Sequence, residues 1–131
     1  MIDSFIKEKP PLRIGIHEVK LHQYMLTYQS MQTKLMTLDH EKAVQIAELF
    51  ATLGDASRVR IIASLIKGEM NVNSLTEEVG ISQSAVSHHL RILRQMRFVR
   101  ARKNGREVFY RLDDEHIAEL FQRGVEHVLH A

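Results

Sequence analysis

Apolar side chains recur along most of this chain at helical spacing, and the gaps between them fall at residues that cap or end helices. Leu21, Tyr24, Tyr28, Met31, Leu35 and Leu38 lie three or four apart, which is the seam of an amphipathic helix. Such a seam suits a partner chain as well as it suits the helix's own domain. Asp39 can cap a second helix carrying Ala43, Val44, Ile46, Ala47, Phe50 and Leu53, which Gly54 and Asp55 break. Ser57 is expected to cap a third, with Val59, Ile61, Ile62, Leu65 and Ile66 as its apolar positions and Gly68 as its end.

The pattern then tightens. Ser74, Leu75, Thr76 and Glu77 fit a capping box, in which the serine accepts from the backbone three residues on and the glutamate reaches back. This predicts a short helix through Val79, a turn at Gly80, and a longer helix capped by Ser82 with Ala85, Val86, Leu90, Ile92 and Leu93 as its apolar face. Short helix, glycine turn and second helix make a helix-turn-helix. Phe98 to Lys103 and Glu107 to Leu112 read as strands, joined by a hairpin signal at Asn104-Gly105. Asp113 and Asp114 open a final helix, where their charge is favourable, with Ile117, Leu120, Phe121, Val125 and Val128 on its apolar face. The expected fold is mainly helical with a β-hairpin wing. Residues 1–38 form an extension with a dimerisation helix, and residues 39–131 form the winged-helix domain. Residues 1–15, punctuated by Pro10 and Pro11, are expected to be mobile.

Charge sharpens this picture. The net charge of 131 residues is only +2, but between His88 and Arg111 there are seven arginines and one lysine against Glu107 alone. From Leu112 onward five acids face one base, Arg123. A local basic block points to a polyanion, although a solvated charged face has the same composition. The chain has no cysteine, which excludes disulfides, iron–sulfur clusters and thiol catalysis. Met1 to Pro11 lacks the apolar stretch of a signal peptide, and no apolar run approaches a membrane span, so a cytoplasmic protein with no membrane partner is expected.

The second helix of such a motif lays its first residues against base edges in the major groove. Here those are Gln83, Ser84, Ser87 and His88, with Arg91 and Arg94 further along. Glutamine can bond adenine through two contacts, whereas serine is permissive. Lys103, Asn104 and Arg106, around Gly105, form a wing tip suited to phosphate or minor-groove contact. Each residue alone has a bland reading as a cap or a surface side chain. Their order along the chain points to double-stranded operator DNA.

Five of the eight histidines fall in the last 44 residues. His116 and His127 are eleven residues apart, close to three whole turns, and His130 is one turn further, so the three share a stripe with Asp114 at its mouth. His116 and His127 are separated by roughly 16 Å along the axis, whereas zinc–nitrogen bonds are about 2 Å. One helix therefore cannot close a site. It carries two half-sites, Asp114/His116 and His127/His130, which an antiparallel pairing of two copies would join into two equivalent sites. Three imidazoles and a carboxylate suit zinc, with cobalt and nickel compatible. The plain alternative is a set of exposed histidines near a frayed end.

From Ala43 to His130 the chain resembles the ArsR/SmtB family of metal-sensing repressors. The resemblance rests on Leu53-Gly54-Asp55-Ala56-Ser57-Arg58, on Ile81 to Arg91, on Asn104-Gly105-Arg106, and on Leu112 to His116. The Asp114/His116 and His127/His130 pairs are similar to the zinc site that some members carry on this helix. The resemblance implies a winged-helix dimer joined through its N- and C-terminal helices, repression in the metal-free state and release of the operator on metal binding. It also implies that a ligand histidine bonds a backbone carbonyl near Arg97. Many members carry Cys-x-Cys where this chain has Asn71 and Asn73, so a thiolate site for soft metals is not expected. His17 and His22 could add ligands and favour nickel or cobalt, but exposed histidines on an N-terminal helix are the simpler reading.

Two other classes stand beside this one. A winged-helix regulator could be constitutive or respond to a signal other than a metal, with the histidines incidental. A zinc hydrolase would need an open coordination position and a base. Glu126 is the sole neighbour of that kind, no His-Glu-x-x-His motif is present, and an enzyme is not expected.

Overall fold

The computed structural model of the chain describes residues 18–130. The expected mobility of residues 1–15, and His17, lie outside them. Contacts divide the chain into two units, Met1–Val44 and Gln45–Ala131. The first unit holds α1 (Glu18–Met36). Its predicted seam carries Tyr24, Met31 and Leu38 exposed.

Helix α2 (His40–Leu53) begins as expected, because Asp39 Oδ1 accepts from the Lys42 amide at 2.9 Å. Helix α3 (Ala56–Ile66) is capped by Asp55 rather than Ser57: the Asp55 carboxylate accepts from the Arg58 amide at 3.0 Å. Aspartate caps as well as serine, and here it stands one residue before the first turn. β1 (Met70–Asn71) is a two-residue strand that periodicity did not announce. It ends on the residue that caps α4 (Val72–Val79), Asn71, whose Oδ1 accepts from the Ser74 amide at 2.8 Å. The capping box at Ser74 is therefore not the helix start. Pairing of β1 keeps the chain extended up to Asn71, and asparagine caps there three residues earlier.

Gly80 closes α4 in the left-handed conformation, φ 73°, which glycine adopts without a steric cost. Ser82 then caps α5 (Gln83–Gln95), its Oγ accepting from the Ala85 amide at 3.1 Å. α5 ends in a Schellman motif: the Phe98 amide donates to Leu93 O at 2.8 Å and the Arg97 amide to Arg94 O at 3.1 Å. The left-handed position of that motif, usually glycine, is Arg97 at φ 59°.

β2 (Val99–Asn104) and β3 (Glu107–Leu112) form the hairpin, and β3 is central in the order β1-β3-β2. Asn104 pairs with Glu107, so the loop is Gly105-Arg106 rather than Asn104-Gly105. Gly105 has φ 63° and Arg106 does not have a positive φ, the pattern of a type II′ turn with glycine first. Helix α6 (Glu115–Leu129) follows, capped by Asp114, and His130 is its C-cap.

The core lies in the second unit. Ile61, Ile62 and Leu65 of α3, Leu75 and Val79 of α4, Val86, Leu90 and Leu93 of α5, and Phe98 and Val99 interlock with almost no exposure. Each such side chain contributes about 1.5–3 kcal/mol by leaving water. Leu49 and Leu53 of α2, and Ile117 and Phe121 of α6, pack on its margin. This core holds the helix-turn-helix and the hairpin as one rigid piece, and it is what aims their polar faces.

Candidate DNA-reading face and metal half-sites

The recognition helix is amphipathic in the sense its sequence announces. Val86, Leu90 and Leu93 anchor one face in the core, and Gln83, Ser84, Ser87, His88, Arg91 and Arg94 stand exposed on the rest. Ser82 and Ser84 touch through their hydroxyls at 3.2 Å. The two adjacent histidines divide. His88 is exposed, while His89 is turned inward, and its buried Nδ1 has no hydrogen-bond partner and lies 4.0 Å from Asp55 Oδ1. The Arg58 amide, followed by the charges of Arg58 and His89, holds the Asp55 carboxyl below the usual aspartate range against the opposing effect of burial.

The wing is braced along its length by Glu69 and Asn71 and exposed at its tip. Arg102 lies over the ring of Phe109, its cross-strand partner, at 5.3 Å from the centroid. Its Nε donates to Glu69 Oε1 at 2.8 Å. Asn71 Nδ2 donates to Glu107 Oε1 at 3.2 Å, so the residue that caps α4 also steadies β3. Lys103, Asn104 and Arg106 are exposed at and beside the tip. The braces themselves could not be read from the sequence, because they join residues more than thirty positions apart.

At the base of the hairpin Asp113 forms an ion pair with Arg100 and pushes that guanidinium's pKa up. The Asp113 amide donates to Phe98 O at 2.9 Å, tying the entry of α6 to the exit of α5. Arg94, Arg97 and Arg100 meet there around a cleft of about 350 Å³. Of these the sequence reading singled out Arg94 alone.

On α6 the metal candidates stay in two pairs. Asp114 Oδ1 accepts from the His116 amide at 2.9 Å and lies 3.4 Å from His116 Nδ1. The His116 side chain is 87% exposed. His127 and His130 are exposed in the last turn and C-cap. Among the described residues no three His, Cys, Asp or Glu side chains come together. The donor types fit a zinc-class ion, but the geometry of one chain offers only two donors at each end. Glu126, the base that a hydrolase would need, has both oxygens engaged, by Gln122 at 3.2 Å and Arg123 at 3.1 Å. Asn71 is committed to a cap and a brace, not to a ligand set. His22 is exposed on α1.

The apolar face of α6 is half-covered at Ile117, Leu120 and Phe121 and exposed at Val125 and Val128. An apolar groove of about 690 Å³ runs beside His127, lined by Phe50, Leu53, Leu120, Phe121, Val125 and Val128 among others. Among the described residues no helix is long and apolar enough to cross a membrane.

Residues 55–101 match the family described as bacterial regulatory protein, arsR family. The chain is 41% identical over 100 residues to the transcriptional repressor SmtB homologue of Synechocystis, covering 76% of this chain and 74% of that one. It is 42% identical over 94 residues to the transcriptional regulator KmtR of Mycobacterium tuberculosis, 72% of each chain. The cadmium resistance regulatory protein CadC homologue of Staphylococcus aureus is 34% identical over 91 residues, 69% of this chain and 75% of that one. Among solved structures, NolR of Sinorhizobium fredii superposes with a TM-score of 0.63 at 32% identity, over 66% of this chain and 87% of that chain. A homodimeric winged helix-turn-helix DNA-binding domain from Mycobacterium bovis gives a TM-score of 0.61 at 28% identity, over 71% and 87%. The chain belongs to the ArsR family of bacterial regulatory proteins: it is a winged-helix, DNA-binding transcriptional repressor and not an enzyme.

Proposed function

We propose that the protein acts as a homodimer that holds operator DNA in the metal-free state and releases it when zinc, or cobalt or nickel, binds between the subunits. The observation that carries this reading is the placement of candidate donors at opposite ends of α6, Asp114/His116 and His127/His130, on a helix whose Val125, Val128 and Leu129 stand exposed. The M. bovis homodimer supports the dimer, and the cadmium resistance relative supports a response to metal without naming which. In this reading residues 1–38 are an extension with a dimerisation helix and residues 39–131 the DNA-binding and sensing domain.

DNA is read by Gln83, Ser84, Ser87 and His88, with Arg91 and Arg94 on phosphates and Lys103, Asn104 and Arg106 at the wing. Asp114, His116, His127 and His130 hold the metal, two from each chain. When bound, the metal would supply Lewis acidity that ties the two chains' helices together. Asp114 Oδ1 is already occupied by the His116 amide, which fixes the carboxylate and leaves Oδ2 to face a ligand. The Asp113 to Phe98 backbone bond passes a shift of α6 to the end of the recognition helix. By linkage, whatever factor metal takes from DNA affinity, DNA takes from metal affinity.

The test is fluorescence anisotropy on a duplex from the protein's own promoter, with and without stoichiometric zinc and then with EDTA. Weakening of at least tenfold (about 1.4 kcal/mol) that EDTA reverses is expected, and repeating it with cobalt and nickel ranks the metals. Operator binding indifferent to all three would leave a winged-helix regulator that is constitutive or answers another signal.

A further inference from the structure

We propose that the cleft between the end of α5 and the start of β2 is an oxyanion site, built by Arg94, Arg97 and Arg100 for a phosphate-class dianion. Three arginines line a cleft of about 350 Å³, and one carboxylate, Asp113, lines it with them. Arg100 is paired with Asp113 and also feels the charge of Asp114, and among the described residues no ion pair involves Arg94 or Arg97. The two carboxylates are thus directed at Arg100, and Arg94 and Arg97 are the cations left to meet an anion. The end of α5 adds about half a negative charge, which these two guanidinium groups outweigh. Phosphate monoesters and inorganic phosphate carry between one and a half and two negative charges near neutrality, and guanidinium meets their oxygens through two parallel hydrogen bonds.

A second feature points the same way. Arg97 occupies the left-handed position of the Schellman motif, φ 59°. Side chains other than glycine and asparagine are disfavoured there. An arginine in that position is a poor choice for ending a helix and a good one for projecting a cation, and backbone outliers of this kind gather at ligand sites. The site is separate from the reading of α6 as a metal sensor and does not depend on it. The phosphate could come from a free oxyanion or phosphorylated small molecule, or from the DNA backbone beyond the groove that α5 reads.

The experiment uses the full chain and two variants, Arg97→Gly and Arg94→Ala. Both should fold, since glycine is the preferred residue at the first position and Arg94 is exposed. Melting is followed in inorganic phosphate and in sodium chloride of equal ionic strength. The wild type should gain about 4 °C in 20 mM phosphate, and both variants should lose most of that gain. Arg97→Gly should at the same time melt about 3 °C higher than wild type in chloride, from relief of the backbone alone. A purely structural Arg97 would move the chloride value and leave the phosphate increment intact, which would overturn the proposal, as would a wild type indifferent to phosphate.

Anisotropy with a short and a long promoter duplex then names the source. Because Arg94 is itself placed on DNA phosphates, the assignment is read from Arg97→Gly: unchanged DNA affinity in that variant, once it has lost the phosphate increment, assigns the site to a free anion. Weaker binding of the long duplex alone, with a salt slope shallower by about one per lost contact, assigns it to the DNA backbone.

Discussion

Helices α5 and α6 have the same kind of sequence, an apolar stripe against a polar one, and opposite fates. The centre of the α5 stripe is buried: Val86, Leu90 and Leu93 are 0–1% exposed. On α6 no residue is buried, and Val125, Val128 and Leu129 are 39%, 73% and 76% exposed. The pattern of a helix says that a face wants cover, not what covers it. For α5 the cover is the chain's own core, so its polar face is held rigidly enough to read a groove. For α6 the end of the stripe stays exposed, and the proposed dimer would supply its cover, since exposed apolar surface of this kind often marks an association site. A rigid reader and an open helix are thus two outcomes of one motif.

Breaking the covered stripe should have the largest effect. Leu93→Ala removes a fully buried side chain and should cost about 3 kcal/mol of folding stability, read as a shift of the urea midpoint with an unchanged slope. Breaking the open stripe should leave the fold and remove the partner. Val128→Asp should raise the dimer dissociation constant about a hundredfold, equivalent to about 2.7 kcal/mol, in sedimentation equilibrium, while the urea midpoint extrapolated to low protein concentration stays within error of wild type. If both measurements move together, the two stripes do not differ as described.

The next prediction separates reader from sensor. His127→Ala should abolish the zinc response, at least tenfold in operator affinity, and leave metal-free DNA binding as it was. Loss of metal-free binding as well would show that α6 supports the reader directly. The smallest effect concerns Asp55, the cap beneath the recognition helix. Its carboxyl titrates below the ordinary value of 3.8, chiefly because of the Arg58 amide. A depressed pKa gives stability that is present above the unfolded value and fades as pH falls through the folded one. Asp55→Asn keeps the cap but not the charge, so wild type should melt about 2 °C higher near pH 6. The difference should close only below pH 4, in calorimetry across that range.

Much of this was legible in the sequence because it is local. The order of elements, the Ser82 and Asp114 caps, the Gly80 turn and the β3 limits all follow from neighbours within a few positions. Asn71 was missed as a cap because its choice over Ser74 is made by β1, a strand too short to have a period. The hairpin loop moved by one residue because Asn104 pairs with Glu107, which registry decides and composition does not. The splitting of His88 from His89, and the braces Arg102–Glu69 and Asn71–Glu107, are tertiary facts. The donor stripe on α6 was legible as spacing, but in the proposed function its completion would need a second chain, which one sequence can only imply.

The backbone bond from Asp113 to Phe98 has a wider consequence. It uses no side chain, so no substitution at either end deletes it, apart from proline at 113. The link between the two helices is thus a property of how the chain is routed, whereas the candidate donors of α6 are ordinary replaceable residues. Under the proposed function, a lineage built on this frame could exchange what it detects, one side chain at a time, and keep the same connection to the DNA-reading helix.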